Sequence, residues 1–283
     1  MPEQAYLDAS QPLFNSDKVD IIEWNFDTCW GSTLSKQCQE ILQTYSDKNQ
    51  LLGHGVSFSL LTARQTARQT TWLEHLNDEV KKFNYKKISE HFGFLTTDKF
   101  TQGAPLSMPC TPEMVKIGIN NLHKIKKIAK CPIGLENLGF AFSKQDVIDQ
   151  GKFITELLDE TDSFLLLDIY NIYCHMINFN MTFDEICETL PIHRANEIHI
   201  SGGSFRQIEH ENQNIYCDSH DAKVPNDVFE LLENNLNRFK NVETCIFERI
   251  GKTILTQQDT AQFREDFLTL QSIIKKTNHA RNQ

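Results

Sequence analysis

Seven short apolar segments of this chain each end at a side chain that can bind a metal ion. They supply imidazole and carboxylate groups, which are the usual ligands of non-haem metal centres. The segments span residues 51–54, 87–91, 133–137, 165–168, 197–199, 215–220 and 244–248. Parallel strands of a barrel end at a common mouth, where the active site is built. The pattern therefore predicts a ring of parallel strands that directs these side chains at one metal site.

The number of candidate ligands indicates more than one metal ion. One ion is held by three or four protein ligands, and two or three ions with Glu136 bridging would use the whole set. A shell of imidazole and carboxylate without cysteine suits iron, manganese or zinc. Nine side chains are predicted to reach the mouth: His54, His91, Glu136, Asp168, Asn171, His199, Asp218, His220 and Glu248.

Taken one at a time, these residues are weaker signals. His54 lies between two glycines, which let another group approach closely, but a single histidine there is more often a loop residue than a ligand. Glu136 and Asp168 each follow a buried apolar run, where an unpaired charge is costly. A metal ion is their simplest partner, and a structural lysine or arginine is the alternative. Arg249 beside Glu248 leaves such an ion pair open.

Two short spacings bring further ligands together. Asp218 and His220 are separated by one residue, which puts both on the same face of an extended segment. Asn171 follows Asp168 by three residues, so a turn after the strand can return it to the same centre. His175 lies farther along this predicted loop, where it either supports a ligand or only packs.

Strand-like and helix-like segments alternate along the chain, which requires right-handed crossovers and a parallel sheet. A closed (β/α)8 barrel and an open doubly wound sheet both fit this alternation, and the ring of ligands favours the barrel. Residues 97–110 are predicted to form a loop, and Thr111 and Ser143 are predicted helix caps. Besides the ligand-bearing strands, the pattern predicts a strand over 19–24 and helices over 34–45, 63–83, 112–130, 143–158, 182–190, 225–239 and 259–274.

Length and composition suit one barrel domain over residues 1–283. The chain has 283 residues, 40% of them hydrophobic, and a barrel of this kind needs about 250. Residues 1–18 are predicted to be a polar N-terminal segment, and residues 275–283 a frayed C-terminal tail. A formal net charge of −10 makes the chain a poor binder of nucleic-acid backbones.

The cysteines and the N-terminus predict a cytoplasmic protein. None of the eight cysteines forms a C-x-x-C pair, and a chain of this size needs no disulfide framework. The first ten residues have no apolar core of a secretory signal. No run of residues approaches the roughly 18 apolar residues of a membrane span, so we expect no membrane association.

In order and spacing, seven motifs between about residues 19 and 250 resemble those of the multinuclear non-haem iron-dependent oxidative enzymes. They are the GHGVSFS, SEH, LEN, LLDIYNIY, IHISG, DSHD and FER sequences that start at residues 53, 89, 135, 166, 198, 218 and 247. No single motif is specific, but the ordered set is. The resemblance implies a xylose-isomerase-like barrel with an irregular or missing first strand, since the first 18 residues lack the family's usual strand.

The resemblance also implies a role for each ligand. His54, His91 and Glu136 would hold one iron ion. A second would be held by Glu136, Asp168, His199 and Glu248, and a third by Asn171, Asp218 and His220. Glu136, Asp168 and Asp218 are the residues it marks as catalytic. The cofactor would be two or three irons, in mixed Fe(II) and Fe(III) states, with O2 as co-substrate.

The implied reaction is oxidation of cysteine residues in a ribosomally made precursor peptide, starting at the cysteine β-carbon. A leader-binding partner protein would form a heterodimer with the enzyme. Residues 217–221 and 247–251 are most similar to the methanobactin-type members, which convert cysteine into a copper-binding oxazolone and thioamide. The family's common N-H-G after the third-site asparagine is missing, since residues 178–180 are Asn-Phe-Asn.

A trinuclear zinc phosphodiesterase of the AP-endonuclease type is the alternative, because its ligands follow the same order on the same barrel. The negative net charge disfavours it. So does Asn171, which stands where that branch has a third-site histidine. A third possibility is a metal-stabilised binding or storage protein, which predicts a closed ligand shell without a substrate cleft.

Overall fold

The computed structural model describes residues 3–97, 100–208 and 213–281. Strands and helices alternate along these residues, as predicted. The helices are α1 Gln4–Asn15, α2 Lys36–Asp47, α3 Ala67–Lys82, α4 Pro112–Ala129, α5 Lys144–Thr161, α6 Ile169–Phe179, α7 Phe183–Cys187, α8 Asn226–Asn235 and α9 Gln257–Arg281. The strands are β1 Ile22–Trp24, β2 Leu51–Gly55, β3 Lys87–His91, β4 Phe94–Thr97, β5 Phe100–Leu106, β6 Ile133–Glu136, β7 Phe164–Asp168, β8 Ala195–Ile200, β9 Phe205–Ile208, β10 Gln213–Tyr216 and β11 Thr244–Phe247.

Seven of the described strands form one parallel sheet in the order β1-β2-β3-β6-β7-β8-β11. The sheet curls into a nearly closed barrel. A side chain of β1 meets one of β8, with Glu23 Oε2 3.2 Å from His199 Nε2, although a flat sheet would hold these strands about 24 Å apart. The predicted barrel is thus confirmed, and the open doubly wound sheet is excluded.

The register of the barrel strands places candidate ligands side by side. His91 of β3 pairs with Glu136 of β6, and Asp168 of β7 pairs with His199 of β8. The interior strand β7 is continuously apolar up to its last residue, and its three leucines are fully buried. An uninterrupted apolar run is expected for a parallel strand covered on both faces.

One predicted barrel strand is wrong. Residues 213–216 form β10, which pairs antiparallel with β9 in a hairpin outside the barrel. The loop that follows it carries the Asp218 and His220 side chains to the mouth. The short β1 takes the remaining place in the parallel sheet, beside β2. Hairpin partners that are close in sequence satisfy the backbone groups of β10 locally, so this segment does not join the barrel.

Residues 97–110 do not form the predicted loop throughout, because β4 and β5 make an antiparallel hairpin there. Thr111 and Ser143 do cap α4 and α5, since each hydroxyl accepts a hydrogen bond from a backbone N–H three residues later. None of the helices in the described residues is long and apolar enough to cross a membrane.

The two ends of the described chain pack together as helices. The polar N-terminal segment forms α1, whose Ala9 and Leu13 are buried with Phe263 of α9. Helix α9 continues to Arg281, so the predicted frayed tail is wrong over residues 275–281, and residues 282–283 lie outside the described residues. Thr277 in this last part of the helix is buried.

Candidate metal centre

The nine predicted ligands lie around the C-terminal mouth of the barrel. Eight of them form three groups in which the ligand atoms lie within 4.8 Å of one another. Neighbouring groups share Glu136 and Asp168, so both carboxylates can bridge two ions. The inner group is His54, His91 and Glu136; the middle group is Glu136, Asp168, His199 and Glu248; and the outer group is Asp168, Asp218 and His220.

In the inner group, two imidazoles converge on one carboxylate oxygen. Glu136 Oε2 lies 3.3 Å from His54 Nε2 and 3.2 Å from His91 Nε2. The other nitrogen of each ring contacts an oxygen on the side away from Glu136. His54 Nδ1 lies 2.7 Å from the Ser89 hydroxyl, and His91 Nδ1 lies 3.3 Å from the Gly55 carbonyl. Such supporting contacts fix the ring orientation of metal-binding histidines.

The glycines around His54 allow this packing. A Cβ atom at Gly53 would lie 3.0 Å from Ile88, and one at Gly55 would lie 2.1 Å from Glu90 Oε2. Neither position has room for a larger side chain. Glu90 precedes His91 on β3, so its side chain points to the opposite face of the strand, where it is buried.

The middle group gathers around His199, which is fully buried. Its Nδ1 lies 2.8 Å from Glu248 Oε2 and 3.8 Å from Glu136 Oε1. Glu248 follows β11 directly, and within the described part of the chain it forms no ion pair with Arg249. Its charged neighbours are His199 and His220. The structural ion pair that the sequence left open is thus replaced by contacts between imidazole and carboxylate.

The outer group is the more exposed side of the centre. Asp218 and His220 are each 21% exposed, whereas the His199 side chain is 0% exposed. Asp218 Oδ1 lies 2.5 Å from His220 Nε2. His220 has a left-handed backbone with φ 50°, a conformation that costs energy for a residue other than glycine and that clusters at functional sites.

Asp168 and Asn171 are placed by a helix rather than by the predicted loop. Helix α6 begins at Ile169, directly after β7, with Asp168 as its N-cap; Asp168 Oδ1 accepts from the Asn171 backbone N–H at 2.7 Å. The Asn137 side chain donates to the Asp168 carbonyl and accepts from the Asp168 N–H. Asn171 Nδ2 donates to the Asn137 carbonyl at 2.9 Å, which leaves the Asn171 oxygen free for another contact.

His175, which was predicted to lie in a loop, is also helical and lies in the second turn of α6. Its Nε2 lies 2.7 Å from the Leu138 carbonyl. Burial lowers the pKa of His175 to about 4, so the ring is neutral at neutral pH. His175 belongs to none of the three ligand groups, and its position on the far side of Leu138 indicates a packing role.

The donor atoms of this site fit metal ions. A buried polar atom without a hydrogen-bond partner costs about 1–3 kcal/mol, so a concentration of such atoms at one mouth points to a missing partner. Imidazole nitrogen with carboxylate and amide oxygen is a suitable donor set for first-row ions such as iron, manganese or zinc. The buried atoms without a hydrogen-bond partner include Glu136 Oε2, Asp168 Oδ2, Asn171 Oδ1, His199 Nδ1, Asp218 Oδ1, His220 Nε2 and Glu248 Oε2.

The carboxylates of the site repel one another. Burial raises the pKa of Asp168 well above its ordinary value, and the nearby Asp218, Glu136 and Glu248 raise it further. The raised pKa of Asp168 indicates more buried carboxylate groups than the local positive charges can balance. A bound cation would allow all of these groups to ionise together.

Three of the imidazoles also have a raised pKa, which favours their charged form, whereas burial lowers the pKa of His91. Burial alone lowers the pKa of His54, but Glu23 and Glu136 more than compensate and raise the pKa to about 10. Burial likewise opposes charge on His199 and His220, yet neighbouring carboxylates raise the pKa of both well above the ordinary value. The raised pKa values favour protons at positions that metal ions would take, and metal binding must release such protons.

Three charged residues below the centre were missed by the sequence reasoning. Glu23, Lys87 and Glu197 point into the barrel and are almost fully buried. Glu197 and His199 are two residues apart on one strand, so their shared face was readable from the sequence. The contacts of Glu23 and Lys87 join distant parts of the chain and had no local signal.

Fold and site together define an α/β barrel with a xylose-isomerase-like fold and candidate metal-binding groups at its mouth. A xylose isomerase domain protein from Planctomyces limnophilus superimposes with a TM-score of 0.57 at 12% identity, covering 95% of this chain and 92% of that one. The IolI protein, solved with a bound zinc atom, gives a TM-score of 0.56 at 14% identity, covering 95% and 93%. At these identities the likeness shows the fold alone.

The chain belongs to the family of RiPP precursor modification enzymes MbnB/TglH/ChrH, which it matches over residues 9–261. RiPPs are ribosomally made peptides that are modified after translation. A UPF0276 protein of Caulobacter vibrioides strain NA1000 is 26% identical over 244 residues, 86% of this chain and 82% of that one. Another from Acaryochloris marina is 28% identical over 197 residues, covering 68% and 67%.

Proposed function

We propose that this chain binds two or three iron ions at the mouth of the barrel and uses O2 to oxidise cysteine residues of a ribosomally made precursor peptide. The observation that carries the proposal is the sharing of Glu136 and Asp168 between three adjacent ligand groups. Carboxylates placed between groups suit a multinuclear centre rather than separate ions. Membership of a peptide-modifying family supports a peptide as the substrate.

The residues would have different roles according to their depth in the barrel mouth. His54, His91 and Glu136 would hold the inner ion, and the buried His199 would anchor the middle ion with Glu248. When bound, the iron would supply the one-electron chemistry and the reaction with O2, and the protein would supply position and electrostatics. The surrounding apolar strands keep bulk water away from these inner positions.

The substrate sulfur would approach from the outer side. Asp218 and His220 are each 21% exposed and His91 is 14% exposed, whereas His54 is only 2% exposed. Solvent, and therefore a peptide thiol, reaches the centre at this side first. Asn171 presents a neutral oxygen there, which leaves an outer ion less strongly held than an ion with four charged or imidazole ligands.

The product that we propose follows from residues 217–221 and 247–251, which resemble those of methanobactin-type enzymes. It is an oxazolone with an adjacent thioamide, made from cysteine. A leader-binding partner protein, which would present the peptide to the mouth, is part of the same proposal. Mass spectrometry of the peptide product, before and after addition of copper, would test this choice of product.

The experiment for the whole proposal starts with anaerobic purification of the chain, followed by metal analysis and Mössbauer spectroscopy. The substrates are synthetic copies of the peptides that short cysteine-bearing reading frames beside the gene encode. The partner protein, encoded by an adjacent gene, is included in the reaction. We expect two or three iron ions per chain, O2 consumption and a mass change confined to cysteine. The matched control peptide carries serine in place of each cysteine and should remain unmodified.

Stoichiometric zinc without iron, together with no O2 consumption on any cysteine peptide, would overturn the oxidase proposal. Hydrolysis of a phosphodiester probe by that zinc form would instead support the trinuclear hydrolase. His123→Gln serves as the matched protein control, because His123 is exposed on α4 and lies in none of the ligand groups. It should keep the full metal content and activity.

A further inference from the structure

The barrel interior below the candidate metal centre contains three charged side chains that belong to none of the ligand groups of the proposed function. Glu23 on β1 is 3% exposed, while Lys87 on β3 and Glu197 on β8 are 3% and 1% exposed. Burying three charges is costly unless they are paired and hydrogen-bonded. Their arrangement therefore calls for a specific partner.

That partner is His199. Its Nε2 lies 3.2 Å from Glu23 Oε2, within hydrogen-bond distance, and 3.7 Å from Glu197 Oε1. Its Nδ1 faces the opposite way, 2.8 Å from Glu248 Oε2 at the mouth. One imidazole ring thus links the interior carboxylates to the candidate metal centre.

Lys87 holds the Glu197 carboxylate in place. Its ammonium lies 3.4 Å from Glu197 Oε2. It also donates to the Thr244 hydroxyl at 2.7 Å and to the Asn196 side chain at 2.8 Å. With its donors engaged by β8 and β11, Lys87 fixes the position of Glu197 in the barrel.

His199 is oriented opposite to the other two histidines of the barrel strands. His54 and His91 turn Nε2 toward Glu136 and have Nδ1 supported by Ser89 and by a backbone carbonyl. His199 turns Nδ1 toward the centre instead. A ring that binds through Nδ1 needs an acceptor for an Nε2 proton, and β1 and β8 supply carboxylates at that position.

We propose that Glu23 and Glu197 are positioning residues that keep the proton on Nε2 of His199, so that the Nδ1 lone pair faces the metal. Lys87 keeps Glu197 in place for this role. The inference rests on the proposed function only where it takes His199 as a metal ligand. It requires neither iron, nor O2, nor a peptide. A carboxylate behind a metal-bound imidazole raises its basicity and fixes its tautomer.

The competing arrangement is an additional cation, separate from those at the mouth, held by Glu23, Glu197 and His199. Their ligand atoms also lie within 4.8 Å of one another. The ammonium of Lys87, 3.4 Å from Glu197, opposes it. A cation there would be repelled by Lys87, and it would take the ring nitrogen that the hydrogen bond to Glu23 uses.

The test uses Zn²⁺ as a diamagnetic probe with the full-length protein labelled with ¹⁵N-histidine. Long-range ¹H–¹⁵N correlation spectra of the zinc-loaded protein assign the proton on each ring, with the His199 signals identified by their loss in His199→Asn. We expect a proton on Nε2 and zinc on Nδ1 for His199, and the reverse for His54 and His91. Zinc on Nε2 of His199, or on both of its nitrogens, would overturn the proposal without any further variant.

Zinc affinity, measured by competition with a chelator, gives the second readout. Glu23→Leu and Glu197→Leu should each weaken zinc binding about 10–100-fold. Glu23→Gln should lose less, because its amide oxygen can still accept from Nε2–H. The control is Glu243→Gln, an exposed residue paired with Lys86 outside the barrel, which should bind zinc normally.

Two results of the affinity measurement would overturn the proposal. One is unchanged affinity in a folded Glu23→Leu protein, and the other is the loss of one whole zinc ion from Glu23→Gln at saturation. The second result would identify the competing cation site. Neither result bears on whether the iron-loaded protein oxidises cysteine, so this inference and the proposed function can fail separately.

Discussion

Glu136 Oε2 lies 3.3 Å from His54 Nε2, although 81 residues of sequence separate the two and the strand β3 lies between their strands. The contact has no hydrogen-bond geometry that satisfies the oxygen, which is buried without a partner. In the metal-free protein a proton on the imidazole provides the attraction between them. The same two atoms are placed to share a cation, and this exchange of proton for metal underlies the predictions below.

Replacement of Glu136 by glutamine should affect two ligand groups together. The amide keeps the size of the side chain but loses the charge that faces both His54 and His91. We expect at least one ion fewer per chain and metal affinity at least about 100-fold lower, as measured by metal analysis and chelator competition. A Glu136→Gln protein with the full metal content would show that Glu136 is not a bridging ligand.

Asp218→Ala should affect the outer group alone. Asp218 and His220 lie on the loop after β10, on the exposed side of the centre. We expect one ion to be lost, the inner ions to remain, and turnover of the cysteine peptide to stop. Asp168→Ala, at the junction of two groups, should lose more metal than Asp218→Ala. Equal metal content in the two variants, or full activity in either, would contradict this assignment.

Gly139→Ala tests the outer group without changing any candidate ligand. A Cβ atom at Gly139 would lie 2.3 Å from Asn171 Oδ1 and 3.0 Å from the Cβ of Asp218. The two side chains must move apart, so we expect weaker binding of the outermost ion and a lower turnover number. Gln145→Ala, an exposed substitution on the neighbouring helix α5, is the control that should leave both quantities unchanged.

The stability of the metal-free protein should fall as the pH rises from 6.5 to about 10. Burial opposes charge on His54, but Glu23 and Glu136 raise its pKa from 6.5 to about 10 in the folded state. The folded state therefore binds this proton more tightly than the unfolded state does. That stabilisation is complete below the unfolded pKa and is lost as pH passes the folded pKa.

Urea unfolding of the metal-free protein at several pH values across this range measures the effect. The His54→Gln variant should show a shallower dependence on pH. Metal binding should show the opposite trend and strengthen with pH, because the ions displace protons from the rings. Stability that rises over the same interval in the metal-free protein would contradict the charged state that we assign to His54.

The sequence by itself determined the positions of ligands that follow strands. Glu136, Asp168 and Glu248 end apolar segments, and the C-terminal ends of parallel strands in a barrel meet at one mouth. These signals are local, because hydrophobic period and strand length depend on neighbouring residues. The ordered motifs also predicted a family of peptide-modifying enzymes, and the match over residues 9–261 confirms membership of the RiPP precursor modification enzymes.

Only the tertiary structure decided which side chains share a group and what supports them. The loop that carries Asp218 follows a hairpin outside the barrel, and Asn171 is held by a helix that begins one residue after its strand. The contact between Glu23 and His199 joins residues 176 positions apart. Such contacts depend on how the whole sheet curls, which no local pattern of residues reports, whereas the strand ends follow from the local pattern alone.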